Sequence, residues 1–151
     1  MSKSYLNKAL ESKLPDSTEI ELHLFEFCNL NCAFCGQDHD STVGMNLEAA
    51  IDKAKECVKF INSNEKNSHI INIMGGEIFN DQVPDEMFDA YSKFHRYILD
   101  NTTDTVRFNW VTNLIFGKYE RVETFIRTHE NSFISTSYDF AGRGLNDFKQ
   151  G

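Results

Sequence analysis

Three of the four cysteines lie close together, within residues 27–36. Cys28, Cys32 and Cys35 form a C-x3-C-x2-C pattern that directly follows an apolar, strand-like run. Thiolates are soft ligands, and three of them on one short loop can bind a single metal centre without help from distant parts of the chain. Their spacing alone is compatible with an iron-sulfur cluster and with a zinc site in which His39 is the fourth ligand.

The composition limits the class of protein that carries this loop. The chain has 151 residues, a formal net charge of -8 and no Lys/Arg-rich run, so it can form one domain and shows no signal for nucleic-acid binding. No long uncharged apolar run is present, which predicts a cytoplasmic protein without a membrane span. In that reducing compartment, a cluster of three cysteines indicates metal binding or redox chemistry and not a disulfide framework. A small-molecule or peptide substrate is expected.

The elements that must position the cysteines alternate between strand and helix patterns. Apolar residues at period two predict strands, as does the short isoleucine-rich run that ends before Gly75-Gly76, and apolar residues at helical spacing predict amphipathic helices. The predicted strands cover residues 19–27, 69–74, 105–113 and 133–139, and the predicted helices cover residues 47–61, 84–100 and 118–129. A short leading helix is predicted over residues 4–14 and ends at Pro15.

Start signals and apolar stripes support the three main helices. Asn46 can cap the first helix, and Pro84 suits the first turn of the second. The stripes predict the buried residues Leu47, Ala50, Ile51, Ala54, Cys57, Val58 and Ile61 in the first helix, Met87, Phe88, Tyr91, Phe94 and Ile98 in the second, and Tyr119, Val122, Phe125 and Ile126 in the third.

The order of strands and helices predicts an α/β fold with a parallel sheet, because strand-helix-strand units of this kind place their strands side by side. Opposite the apolar rows, the predicted strands carry polar residues, among them Glu21, His23, Asn72, Arg107 and Asn109. One face of the sheet is therefore expected to be polar. It is either the solvated face of an open sheet or the lining of a ligand cavity in a barrel-like sheet, and the long helical connections favour the cavity.

The cysteine loop resembles the signature of the radical S-adenosylmethionine (radical SAM) enzymes, in which such a loop follows the first strand of a partial (β/α) TIM-like barrel. Phe34 occupies the aromatic position before the last cysteine. The resemblance implies a 4Fe-4S cluster on Cys28, Cys32 and Cys35, with one iron left open for S-adenosylmethionine. It also implies a flavodoxin- or ferredoxin-like electron donor and a 5'-deoxyadenosyl radical that abstracts hydrogen from substrate, as in the oxidoreductases and transferases of this family.

Three further segments resemble motifs of the same family and occur in the matching order. Residues 74–77, Met-Gly-Gly-Glu, are similar to the Gly-Gly-Glu motif that meets the methionine amino group. Residues 111–113 are similar to the family's Thr-Asn, and residues 135–139 to a Ser-x-Asp segment near the cofactor. The resemblance thus implies cofactor-binding roles for Phe34, Gly75, Gly76, Glu77, Asn113, Ser137 and Arg143, and it makes Asp139 a candidate catalytic residue.

Each of these features also has a structural interpretation. Phe34 is one of thirteen phenylalanines and could pack in a core, and Gly-Gly-Glu could be an ordinary turn. Cys57 is predicted to be a buried, inert thiol because it lies in an apolar stripe. Structural roles are expected for His23, His69, His95 and His129. The functional alternatives are a non-catalytic, zinc-stabilised binding module and an inactive radical SAM remnant.

The resemblance covers most of the chain but not a whole core. Residues 1–18 are interpreted as a helical lead-in and residues 19–151 as a partial radical SAM core with four strands, where the family usually has six strand-helix units. We therefore expect a fragment of a longer protein, a reduced form, or a partner chain that completes the barrel, since an open sheet edge invites pairing with another chain. The substrate itself cannot be read from a loop that the family uses for many substrates.

Overall fold

The computed structural model describes residues 17–136. The elements in chain order are β1 (Thr18–His23), α1 (Leu47–Ser63), β2 (Ser68–Met74), α2 (Asp85–Asp100), β3 (Thr105–Val111), α3 (Tyr119–Thr128) and β4 (Ser132–Ser135). All seven elements from β1 to β4 were predicted, so the alternation of strand and helix is confirmed. The predicted leading helix and the site candidates Ser137, Asp139 and Arg143 lie outside the described residues.

The four strands form one parallel sheet in the order β1-β2-β3-β4. The predicted α/β fold with a parallel sheet is therefore confirmed. The register aligns two apolar rows across the first three strands: Ile20, Ile71 and Phe108, and Leu22, Ile73 and Trp110. Within residues 17–136 the sheet is not closed, because β1 and β4 are both edge strands, and a barrel is thus not confirmed.

One face of the sheet and the three helices share a single apolar core. At its centre the indole ring of Trp110 lies 5.7 Å from the ring of Tyr91 and 4.9 Å from that of Phe125. The polar atoms of these buried aromatic residues have partners: the Trp110 Nε1–H donates to Ser132 Oγ at 3.1 Å, and the Tyr91 hydroxyl donates to the Ile78 carbonyl at 2.9 Å. The core therefore binds α2 and α3 to the middle of the sheet without unpaired ring donors.

The predicted apolar stripes are buried or partly buried except at two positions. Leu47 is 40% exposed and Tyr119 is 63% exposed, so the prediction that they face inward is wrong. Each is the first residue of its helix, α1 and α3 respectively. A helix end can extend past the element it packs on, and periodicity alone cannot detect this.

The opposite face of the sheet is open to solvent in the part of the chain that the structure describes. Glu21, His23 and Arg107 are exposed there. Between them the Asn109 side-chain amide donates to Asn72 Oδ1 at 2.8 Å. This face is thus polar and exposed at Glu21, His23 and Arg107, whereas Ile70 on the same face is buried. The cavity that was favoured from the sequence stays a prediction.

Side-chain hydrogen bonds define where the helices begin. Asn46 Oδ1 accepts the Ala49 N–H at 2.9 Å, which confirms the predicted cap of α1. At the start of α3, the Asp81 carboxylate accepts the N–H groups of Gly117 and Lys118 at 2.7 and 2.8 Å. These two bonds hold the pKa of Asp81 below its usual range.

No helix in residues 17–136 is long and apolar enough to cross a membrane.

Candidate functional site

The glycine turn at the end of β2 packs against the chain that leaves β1. The N–H groups of Gly76 and Glu77 donate to the carbonyls of Phe25 and Phe27, both at 2.9 Å. A Cβ atom at Gly75 would lie 2.2 Å from the Phe25 carbonyl oxygen, and one at Gly76 would lie 1.8 Å from that of Phe27. These two glycines thus allow the chain's own backbone, at Phe25 and Phe27, to come close. This packing brings the cysteine loop to the carboxyl end of β2.

The carboxylate of Glu77 joins the ends of β2 and β3 from inside the protein. The residue is only 1% exposed. Its Oε1 accepts the Thr112 hydroxyl at 2.7 Å and the Phe79 N–H at 2.9 Å, and its Oε2 accepts the Asn113 N–H. The Glu of the Gly-Gly-Glu motif therefore holds the two strand ends in place, which are the ends that face the cysteines.

The cysteine loop folds back on itself after its last cysteine. The Cys35 N–H donates to the Cys32 carbonyl at 3.0 Å and closes a turn. Farther along, the chain returns to the start of the loop, where the Cys28 N–H donates to the His39 carbonyl at 3.0 Å. The Asp38 N–H, in turn, is bound by a side-chain oxygen of Glu26. These bonds give the loop a defined backbone shape beside the strand ends.

The loop and the strand ends line one recess of about 140 Å³. The recess contains most of the predicted site residues: Cys28, Cys32, Cys35, Phe34, Gly75, Gly76, Glu77 and Asn113. His39, the candidate fourth zinc ligand, lines it as well. Phe34 is 64% exposed, so it lies at the rim of the recess and does not pack in the core. Motifs that are separated along the sequence thus lie at a single place in the fold.

The donor set of this recess fits a metal centre with thiolate ligands, although the side chains are not yet gathered around one point. All three cysteine thiols are partly accessible. Within residues 17–136, however, no three His, Cys, Asp or Glu side chains are close enough together to hold a metal ion. The thiols must therefore converge when a metal or cluster binds. Three soft donors on one loop suit an iron-sulfur cluster or zinc more than a hard cation. The Glu77 oxygens, which are the kind of ligand a hard cation prefers, already accept hydrogen bonds from protein donors.

Burial controls the charge state of two of the thiols. Burial is the main reason that the pKa of Cys28 is raised; the Leu30 N–H lowers it, while Glu77 and the other two loop cysteines raise it further. A metal ion that bound at Cys28 would therefore displace a proton. Cys57 lies on α1, is 3% exposed, and has its pKa raised to about 11 by burial. The prediction that Cys57 is buried is confirmed.

Two residues of the cysteine loop were missed by the sequence analysis. The Asn29 side chain bonds to residues at the end of β3, donating to the Ile115 carbonyl and accepting from the Asn113 amide at 2.9 Å. Gln37 accepts the Cys35 thiol at 3.6 Å and donates to His23 Nδ1 at 3.3 Å. Asn29 directly follows Cys28, and Gln37 lies two residues after Cys35. This proximity to the cysteines is the signal that the sequence offers, because neither residue belongs to a periodic pattern.

Comparison of the chain with protein-family models, with curated proteins and with solved structures finds no match. The chemistry of the site therefore has to be argued from its own residues.

Proposed function

We propose that this chain is a radical SAM protein, in which Cys28, Cys32 and Cys35 bind a 4Fe-4S cluster and S-adenosylmethionine binds beside it. One observation carries the proposal. The three thiols, the Gly-Gly-Glu turn and the Thr-Asn segment are far apart in sequence, yet they line one recess at the carboxyl edge of a parallel sheet. Ligand sites of open α/β sheets lie at this edge.

The residues of the recess divide into ligands and supports. The three cysteines are the ligands, and three thiolates leave one iron of such a cluster open for S-adenosylmethionine. When bound and reduced, the cluster supplies the electron that cleaves S-adenosylmethionine and so starts hydrogen abstraction from substrate. The backbone of Gly75 and Gly76 and the side chains of Asn113 and exposed Phe34 line the space beside the thiols. We propose these four residues as cofactor contacts.

The proposal extends to the partners and the architecture. Because the thiols lie near the surface, an electron donor of the flavodoxin or ferredoxin class can approach the cluster. The edges of β1 and β4 are open in residues 17–136, and further strands, from this protein or from a partner chain, would pair there to extend the sheet toward a barrel. The substrate is proposed to be a small molecule or a peptide, bound in the cytoplasm at the polar face.

Anaerobic reconstitution with iron and sulfide tests the proposal. We expect a brown protein with about four irons per chain that converts S-adenosylmethionine to 5'-deoxyadenosine after reduction. Serine substitutions at Cys28, Cys32 and Cys35 are expected to abolish cluster binding. Cys57→Ser is the matched control and is expected to keep the cluster, because Cys57 is buried on α1. A colourless protein that holds one zinc ion would refute the proposal.

A zinc-stabilised binding module is the second candidate function. It is favoured by one observation, that His39 lines the same recess as the three thiols. His39→Ala separates the two functions, because it is expected to release zinc from a site with three cysteines and one histidine but to leave an iron-sulfur cluster in place. A third outcome, a brown protein that produces no 5'-deoxyadenosine, would identify an inactive remnant.

A further inference from the structure

Two asparagine side chains connect the cysteine loop to the end of β3. The Asn113 amide donates to Asn29 Oδ1 at 2.9 Å, across 84 residues of sequence. Asn29 uses its own amide to donate to the Ile115 carbonyl, and Asn113 Oδ1 accepts the Ile115 N–H at 2.8 Å. We call this set of three hydrogen bonds between Asn29, Asn113 and Ile115 the amide latch. It closes a ring between the residue after the first cysteine and the loop after β3.

The amide latch is also anchored to a buried residue, Glu77. The Asn113 N–H donates to the carboxylate of Glu77, which is almost fully buried. The Asn113 side chain therefore projects from a backbone that is held on one side by Glu77 and on the other by the Asx-type turn to Ile115. The latch therefore ties the cysteine loop to this buried anchor, Glu77.

Polar groups of the latch and of the loop backbone lie around the sulfur of the first cysteine, and Asn29 Oδ1 accepts the Cys28 thiol at 3.9 Å. The Leu30 N–H is 3.4 Å from Cys28 Sγ, and the Asn113 side-chain nitrogen is 4.0 Å from the same sulfur. Because Asn113 Nδ2 also binds Asn29 Oδ1, its direction toward Cys28 is set by Asn29. Hydrogen bonds to cluster sulfurs are among the factors that set the reduction potential of iron-sulfur proteins.

We propose that Asn29 and Asn113 are positioning residues that hold the backbone of the Cys28 loop beside the end of β3 and direct the Asn113 side-chain N–H at the Cys28 sulfur. The second half of this inference rests on the proposed iron-sulfur function, whereas the first half does not. N–H groups near a thiolate stabilise negative charge on sulfur, and the reduced cluster carries more of that charge than the oxidised one. The latch therefore makes the bound cluster easier to reduce.

Two measurements on the full chain test the two halves separately. The first is amide hydrogen exchange of the metal-free protein, followed by mass spectrometry of the peptide that contains residues 28–35. The second is a redox titration of the reconstituted protein, monitored by electron paramagnetic resonance. The variants are Asn29→Ala, Asn113→Ala and the double substitution. The matched control is Asn31→Ala, since Asn31 is exposed on the same loop and its side chain makes no hydrogen bond within residues 17–136.

We expect each latch variant to exchange several-fold faster than the wild type over residues 28–35, and the double variant to be no faster than the faster single variant, because both substitutions break one unit. After reconstitution, the midpoint potential is expected to become more negative in both variants. Asn29→Asp keeps the acceptor for the Asn113 amide but loses the donor to the Ile115 carbonyl, so its exchange rate is expected to lie between those of the wild type and Asn29→Ala. Thermal unfolding of each variant checks that it is folded.

Each negative result would contradict a different part of the proposal. Exchange rates equal to those of Asn31→Ala would overturn the latch itself. Faster exchange together with an unchanged midpoint potential would overturn the role of the N–H groups at sulfur. If the wild type takes up no cluster at all, the proposed function fails, and the exchange measurement alone still decides whether Asn29 and Asn113 position the loop.

Discussion

Glu77 Oε1 and the Thr112 hydroxyl are joined by a buried hydrogen bond of 2.7 Å, which connects the ends of β2 and β3. Both residues are almost fully buried, and the same carboxylate also accepts two backbone N–H groups. Replacing a buried carboxylate that accepts these hydrogen bonds lowers the free energy of unfolding, because each donor would be left without a partner. This connection supports the recess, and its loss is expected to affect both stability and the site.

Glu77→Gln is expected to destabilise the protein by about 1–3 kcal/mol, because the new amide N–H₂ would face the Asn113 N–H or the Thr112 hydroxyl instead of accepting from it. Thr112→Val removes one of the three donors that Glu77 has within residues 17–136, together with the acceptor of the Leu114 N–H, and is expected to cost about 1 kcal/mol. Urea unfolding measures both values. The control is Glu86→Gln on the exposed side of α2, where a change as large as that of Glu77→Gln would contradict the argument.

Gly76→Ala is expected to destabilise the protein by about 3 kcal/mol or more, because the added Cβ would lie 1.8 Å from the Phe27 carbonyl oxygen. The backbone of two chain segments would have to separate. Gly36→Ala is the matched control: a Cβ there meets nothing within 4 Å, and its substitution is expected to be nearly neutral. Soluble yield and the urea midpoint measure the difference. Equal midpoints for the two variants would show that the turn can relax.

Leu114 adopts a left-handed backbone with φ of 62° and is 46% exposed. For a residue with a Cβ atom this conformation costs roughly 1–2 kcal/mol of steric strain. Glycine is free of this strain but loses more conformational entropy on folding, so only part of the strain energy is gained as stability. Leu114→Gly is therefore expected to raise the free energy of unfolding by about 0.5–1 kcal/mol. The neighbouring substitution Ile115→Gly relieves no left-handed strain and is expected to lower it. The prediction fails if both substitutions destabilise the protein equally.

His95 is expected to make the protein less stable as the pH falls. Burial lowers its pKa in the folded state, against a smaller opposing effect of the bond from Nε2–H to the Glu130 carbonyl at 2.8 Å. The unfolded chain then takes up a proton near the ordinary value of about 6.5, before the folded chain does, so the free energy of unfolding decreases below that pH. The decrease ends once the pH is below the lowered pKa of the folded state.

Urea unfolding at about pH 7 and about pH 5 measures this contribution. His95→Gln keeps a side-chain donor near the Glu130 carbonyl but cannot titrate, so it is expected to lose less stability between the two pH values than the wild type does. An identical loss in the wild type and the variant would mean that another group causes the acid sensitivity.

Most of the fold could be predicted from the sequence because its signals are local. Alternation of apolar residues predicts β1 and β3, a short isoleucine-rich run predicts β2, and the stripes of the three helices predict the core around residues such as Phe94 and Ile61. The parallel order follows from the helical connections. Strand ends were predicted less well: β1 ends at His23 and β3 at Val111, earlier than predicted, because the chain leaves the ladder there to build the recess.

The sequence by itself determined which residues could act as soft metal ligands and the order in which the motifs follow the strands. Only the tertiary structure decided how those motifs meet. It showed that the Gly-Gly turn admits the Phe27 backbone, that Glu77 joins two strand ends, and that Asn29 reaches Asn113. The physical reason is that periodicity reports which face of an element is apolar, whereas contacts between loops depend on how the strands are aligned across the sheet, a relation between residues up to 86 positions apart.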